Sequence, residues 1–150
     1  MSLFFVDTSA LAKRYITEIG SVWVLSWILP ATGNVIVISE IAFVEMNSLL
    51  RRRVSNHTLN AATLTTLQHN FVQHFKQEYL VSYLETHIIE EAATLVDKHN
   101  LRTLDAIQLA SAVQAVKYLN EPMTFVSADR NLLAAAANEG FATDDPNLYP

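Results

Sequence analysis

Leu3-Phe4-Phe5-Val6-Asp7-Thr8-Ser9 is the stretch that decides the fold. Four apolar residues in succession suit a strand covered on both faces, the condition of strands in a parallel sheet and not of the half-solvated strands of an antiparallel one. The run stops at a carboxylate, and helical patterning begins at once, over Ala10 to Ile16 and then Ser21 to Leu29 on either side of Gly20. The same grammar recurs outward along the chain. Val35-Ile36-Val37-Ile38 is a β-branched strand leading into Ser39, a helix cap in type, and a helix running to about Arg53. A long helix is predicted from Thr58 to about Gln77, a brief strand at Tyr79-Leu80-Val81, and a capping box at Ser82-Tyr83-Leu84-Glu85 opening a helix that ends near Lys98. Thr103 is placed to cap a helix from Leu104 to Leu119, closed by Asn120-Glu121-Pro122. Thr124-Phe125-Val126 is a further strand, Ser127 a cap for a helix from Asp129 to Asn138, and Phe141-Ala142-Thr143 a last edge strand after Gly140. Alternation of this kind predicts an α/β fold, a mostly parallel central sheet flanked by helices on both faces.

With 150 residues, 51% of them hydrophobic, and no linker, repeat or low-complexity tract, residues 1–150 read as a single domain. No basic segment followed by an apolar core opens the chain, and the apolar stretch from Val22 to Leu29 is broken by Ser26 and closed by Pro30. It falls well short of the roughly 20 residues of a membrane helix. A cytoplasmic protein with no membrane partner is expected. There is no cysteine, so disulfides and thiolate zinc sites are excluded. A net charge of −5 argues against binding nucleic acid through the overall field. It is compatible with an acidic site that a divalent cation neutralises. Lys13-Arg14, Arg51-Arg52-Arg53 and Arg130 are the candidate phosphate contacts, although Arg51 to Arg53 would serve a helix C-terminus equally well.

Four acids stand where the chain would be better served by something else. Asp7 ends the first strand and Asp129 follows Phe125-Val126 by three residues, both at the strand ends where α/β sheets bind ligands. Glu45 shares a helical face with Ala42, Met46 and Leu49, and Asp105 lines up with Leu109, Ala112 and Val116. Asp105 and Asp129 would also suit a first helical turn, and Glu45 the rim of its stripe. Gathered together, ionised carboxylates repel and are costly to desolvate unless a cation compensates. An oxygen-only ligand set selects Mg²⁺ or Mn²⁺, ions that support phosphodiester hydrolysis.

Phe5-Val6-Asp7-Thr8-Ser9-Ala10-Leu11, Ser39 to Glu45, Leu101-Arg102-Thr103-Leu104-Asp105-Ala106-Ile107-Gln108-Leu109-Ala110, and Val126 to Leu132 resemble, in order and spacing, the four motifs of the PIN-domain family. They look most like its VapC branch, the toxins of toxin–antitoxin pairs, and the resemblance covers essentially the whole chain. It implies a PIN-like three-layer α/β/α fold and a Mg²⁺- or Mn²⁺-dependent endoribonuclease. The metal ligands and catalytic residues it implies are Asp7, Glu45, Asp105 and Asp129, with Ser9 and Ser127 as supporting hydroxyls. A cognate antitoxin and a homodimer are implied as partners. The chain departs from the branch at Gln108, where histidine is common, and Glu40 is an additional acid in the second motif.

None of the histidines, His57, His69, His74, His87 and His99, is assigned to chemistry. Trp23 and Trp27, spaced i, i+4, suit a core, and one of them is a candidate partner contact. A receiver domain would need a lysine after the late strand, and a haloacid-dehalogenase-type phosphatase a second aspartate at Ser9. Neither is present. A PIN-type DNA nuclease and a non-catalytic PIN-like binding module are the alternatives that stay open, since no residue identifiably reads a 2′-hydroxyl.

Overall fold

The strand at Leu3–Val6 (β1) is bonded in parallel along both edges, to β2 (Val35–Ser39) and to β4 (Thr124–Val126), with Phe5 opposite both Val37 and Phe125. In this computed structural model, which describes residues 1–150, β3 (Leu80–Ser82) joins the free edge of β2 and β5 (Ala142–Asp144) that of β4. The order is β3-β2-β1-β4-β5 and every pairing is parallel, sharper than the mostly parallel sheet expected.

Between the strands run α1 (Thr8–Leu11), α2 (Ser21–Ile28), α3 (Ala42–Ser55), α4 (Ala61–Gln77), α5 (Thr86–His99), α6 (Thr103–Leu119) and α7 (Arg130–Asn138). Alternating side chains send Val6, Ile36, Ile38 and Val126 to one face, where residues of α1 to α4 cover them. Phe5, Val37 and Phe125 go to the other, under α5, α6 and α7. The result is the three-layer α/β/α arrangement that the resemblance implies. From β1 the chain steps outward to β2 and β3 along one face. It then returns through α5 and α6 on the opposite face to lay β4 against the far side of β1. That reversal leaves a crevice beyond the carboxyl ends of β1 and β4, the place where sites form in such sheets.

Helix starts differ from expectation wherever a hydroxyl was read as a cap. Ser39 is the last residue of β2, and α3 begins at Ala42 with no side-chain cap. The capping box at Ser82 to Glu85 does not form, because Ser82 belongs to β3 and its hydroxyl donates to Ser111 O (3.2 Å). Thr103 is the first residue of α6 and not its cap. α4 begins at Ala61 behind Asn60, whose side chain accepts from Thr63 N (2.8 Å), and the Thr58 segment is a turn. Asp129, in place of Ser127, caps α7 by accepting from Asn131 N and Leu132 N. The helix expected from Ala10 to Ile16 starts earlier, at Thr8 behind Asp7, and tightens into a 3₁₀ turn over Ala12–Arg14. Ser39, Ser82 and Ser127 bond instead to Ser111 and Asp7 across the fold, whereas the exposed Thr103 makes no side-chain hydrogen bond.

Both tryptophans are used inside the chain. Trp27 is buried and stacks on Phe4 (centroids 4.5 Å apart), and Trp23 lies flat on Tyr149 at 4.3 Å. The C-terminal segment is thereby tied to α2, with Gly20 beneath it in the left-handed region (φ 86°). No helix is long and apolar enough to cross a membrane.

Any side chain at Gly20 would bring its Cβ to 2.4 Å from the backbone oxygen of Pro146. Gly33 is also left-handed (φ 72°) but meets nothing within 4 Å. Gly20→Ala should therefore cost more than about 2 kcal/mol, combining backbone strain with displacement of the C-terminal segment, against about 1 kcal/mol for Gly33→Ala. Urea midpoints of the two variants measure this, and equal losses would show that the Pro146 contact is unimportant.

Candidate metal centre

α1 leaves β1 without a connecting residue to spare, and Asp7 is its N-cap. One carboxylate oxygen, Oδ1, accepts from Ala10 N (3.2 Å) and from the Ser9 hydroxyl (2.7 Å), and Oδ2 accepts from the Ser127 hydroxyl (2.9 Å). Ser9 in turn accepts from Ala128 N and Ser127 from Asp129 N, both at 3.0 Å. The loops after β1 and β4 are thus stitched together around one carboxylate.

Glu45 reaches the same place from the first turn of α3. Its Oε1 accepts from Thr8 Oγ1 (3.2 Å) and Gln108 Nε2 (2.7 Å). Asp105, in the first turn of α6, and Asp129, at the head of α7, share with Glu45 a cleft of about 390 Å³ whose other lining residues are Arg102, Thr103 and Leu104. Asp7 lies outside that lining, buried at the end of β1. No three of the four acids are grouped closely enough to hold a metal ion between them as they stand. An ion that retains several waters needs only one or two carboxylates at a time.

Burial and mutual repulsion push three of the carboxyl groups upward. Asp7 is 5% exposed, and burial pushes its pKa up to about 7 against the pull of its three hydrogen-bond donors, with the charge of Glu45 adding a smaller upward push. Glu45 is raised first by burial and then by Asp105, against the bonds from Gln108 and Thr8. Asp105 is raised by burial and by Asp129, and Arg102 partly offsets this. Oxygen donors alone, under mutual repulsion and with neither cysteine nor histidine lining the cleft, fit a hard divalent cation.

The expected cations fare unequally. Lys13 is buried, and its ammonium is spent on Glu18 (3.2 Å), Ile19 O (2.8 Å) and Asn147 (3.0 Å). Arg14 is bound to Glu78 (2.7 Å) and to the Tyr79 hydroxyl (2.8 Å). Neither is free to meet a phosphate, because each closes the fold around a buried or half-buried acid or carbonyl. Arg53 pairs with Glu18 (3.0 Å). Arg130 is exposed on the first turn of α7, next to Asp129. Glu40 is structural, its carboxylate accepting from Leu84 N (2.8 Å). Two participants, Thr8 and Arg102, escaped sequence reasoning, and a third, Gln108, figures there only as a departure from the VapC branch. Thr8 and Gln108 bond to Glu45, and Arg102 lines the cleft while engaging in none of the protein's ion pairs. For Gln108 a signal existed, a polar residue three positions after Asp105 among apolar neighbours.

The PIN domain profile matches residues 4–139. This chain belongs to the PIN-domain family. PIN domains are generally metal-dependent nucleases. Three solved structures share the fold at low identity. PAE2754 from Pyrobaculum aerophilum is 17% identical, with a TM-score of 0.66 over 98% of this chain and 85% of that one. FitAB bound to an IR36 DNA fragment is 17% identical, with a TM-score of 0.65 over 96% and 95% of the two chains. FitAcB from Neisseria gonorrhoeae is 16% identical, with a TM-score of 0.61 over 96% and 98%. No curated protein matches the sequence.

The raised carboxyl of Asp7 in this PIN domain carries a pH signature. Its folded value of about 7 lies above the usual 3.8, so between these values the folded state holds a proton that the unfolded state lacks. Stability of the metal-free protein must then fall as pH rises through that window, by on the order of 4 kcal/mol at most. Asp7→Asn, which cannot ionise, should melt well above wild type in EDTA at pH 8, with the difference closing by pH 4. A difference independent of pH would mean that Asp7 is not under this strain.

Proposed function

We propose that this PIN domain is an endoribonuclease dependent on Mg²⁺ or Mn²⁺, the toxin of a toxin–antitoxin pair acting in the cytoplasm. The observation that carries the reading is the set of acids from separate elements near the sheet's topological reversal, Glu45, Asp105 and Asp129 lining one cleft and Asp7 buried at the end of β1, three of the four with carboxyl groups held above their ordinary range. The choice of RNA, of an antitoxin partner and of a homodimer rests on the resemblance of the four motifs to the VapC branch.

In this reading the four acids hold the cation, which when bound supplies an activated water and stabilises negative charge on the phosphate. Ser9 and Ser127 orient Asp7 by donating to its two oxygens. Thr8 keeps Glu45 turned toward the same crevice. Arg102 and Arg130 stand at the rim, where guanidinium groups bind phosphates flanking the scissile bond. Their charge opposes the repulsion that a net charge of −5 exerts on an incoming polyanion.

The direct test is cleavage of a fluorescent single-stranded oligoribonucleotide by purified protein, with a matched DNA strand alongside. Cleavage of RNA in Mn²⁺, lost in EDTA and at least about 100-fold slower in Asp105→Asn, is expected, since perturbing even outer-shell partners of a metal costs 10–100-fold. Undiminished turnover in EDTA or in Asp105→Asn overturns the assignment, and cleavage of the DNA strand alone transfers it to a DNA nuclease.

Expression of the wild-type chain in a bacterium should arrest growth, and Asp7→Asn should not. A soluble wild type that leaves growth unchanged argues for a binding module in place of a toxin.

A further inference from the structure

Gln108 sits in the middle of the α6 face that covers β1 and β2, and it is 2% exposed. A carboxamide so deeply buried is costly, and an apolar side chain of similar volume would pack without that cost. Its Nε2 donates to Thr8 Oγ1 (3.1 Å) and to Glu45 Oε1 (2.7 Å), while Thr8 Oγ1 donates to the same Glu45 oxygen (3.2 Å). The three side chains close a triangle drawn from the chain's first, second and third motif segments. Gln108 Oε1, by contrast, is buried with no partner. Turning the amide over would give that oxygen the Thr8 hydroxyl as a donor. It would also set a carbonyl oxygen at 2.7 Å from Glu45 Oε1, two acceptors in contact. The carboxylate of Glu45 outranks the amide's own unsatisfied oxygen, as expected when a charge-assisted bond competes with a neutral one.

Both bonds fall on Oε1 of Glu45, and Oε2 receives none. We propose that Gln108 is a positioning residue for the metal centre, clamping Glu45 through Oε1 so that Oε2 is presented to the divalent cation as a single-atom ligand. This rests on the reading of the site as a cation-binding nuclease centre. Hydrogen bonds of this outer kind fix ligand orientation and tune metal affinity. The proposal gives a reason for a buried polar group that packing alone does not provide.

The experiment titrates metal-free protein with Mn²⁺ by calorimetry, comparing wild type with Gln108→Met, which fills the volume without donors, and Gln108→Asn, which withdraws the amide by one methylene. Both variants should bind Mn²⁺ at least about 10-fold more weakly than wild type. Gln108→Met, which also removes the unpartnered oxygen, should melt no lower than wild type in EDTA. At saturating Mn²⁺ the KM for the oligoribonucleotide should stay within about twofold of wild type while kcat falls even when expressed per Mn²⁺-binding site counted in the same titration, which discounts any unfolded fraction. Gln108→Asn supplies the comparison if the Met variant fails to fold. Wild-type Mn²⁺ affinity in a folded variant overturns the proposal and leaves the nuclease reading standing, whereas a wild type that binds no Mn²⁺ overturns both.

Discussion

β1 is hydrogen-bonded along both edges and covered on both faces, so its end admits no freedom. The ladder to β4 continues one residue past the strand, with Asp7 N donating to Val126 O (3.1 Å), before the chain turns into α1. This anchoring holds a carboxylate in the interior at the one place where the sheet's order reverses. Three donors face it, and they are too few to repay the loss of water around a charge, which is why its pKa sits near neutrality. A fold organised for stability alone would put an amide or a hydroxyl there. Retaining an acid leaves the site under electrostatic strain, which in the proposed nuclease a cation would relieve, and a cation that binds only the folded state stabilises it according to its affinity.

The second organising feature is the polar stripe of α6. Asp105, Gln108 and Ser111 follow at i, i+3 spacing along a helix otherwise packed among apolar residues. Ser111 donates to Ser39 Oγ at the end of β2 (2.9 Å), and its carbonyl accepts from Ser82 at the end of β3. The stripe therefore docks on the carboxyl ends of the strands. Because polar groups in a low-dielectric interior tolerate few alternative partners, it pins the rotation of α6 about its axis more tightly than apolar packing would. That rotation sets the direction in which Asp105 faces, and with it the cleft shared with Glu45 and Asp129.

Charge is divided between these tasks. Lys13, Arg14 and Arg53 are consumed by Glu18, Glu78 and neighbouring oxygens, closing the layer of α1, α2 and α4 over the sheet. The cleft keeps Arg102 in its lining and Arg130 beside it, neither engaged in an ion pair. An acidic protein can then present a local attractive field to a phosphate chain without the uniformly basic surface that nonspecific binding would need.

The sequence by itself determined which segments are strands and which are helices, since apolar runs and 3.6-residue periodicity are set by neighbours close in the chain. It also determined that Asp7 and Asp129 lie at strand ends and that Glu45 and Asp105 interrupt apolar stripes, facts of register that survive any packing. Tertiary structure alone decided the strand order and the use of each polar side chain. Ser39, Ser82 and Ser127 have the composition of caps, yet they serve Ser111 and Asp7, and Asp129 takes the cap that Ser127 vacates. Lys13 and Arg14 resemble a basic patch until Asn147 and Glu78, 134 and 64 positions later in the chain, arrive beside them. The physical reason is common to all of these. A hydroxyl, amide or charge bonds to whichever complementary group desolvation leaves within about 3 Å, and local sequence does not encode which distant segment that will be.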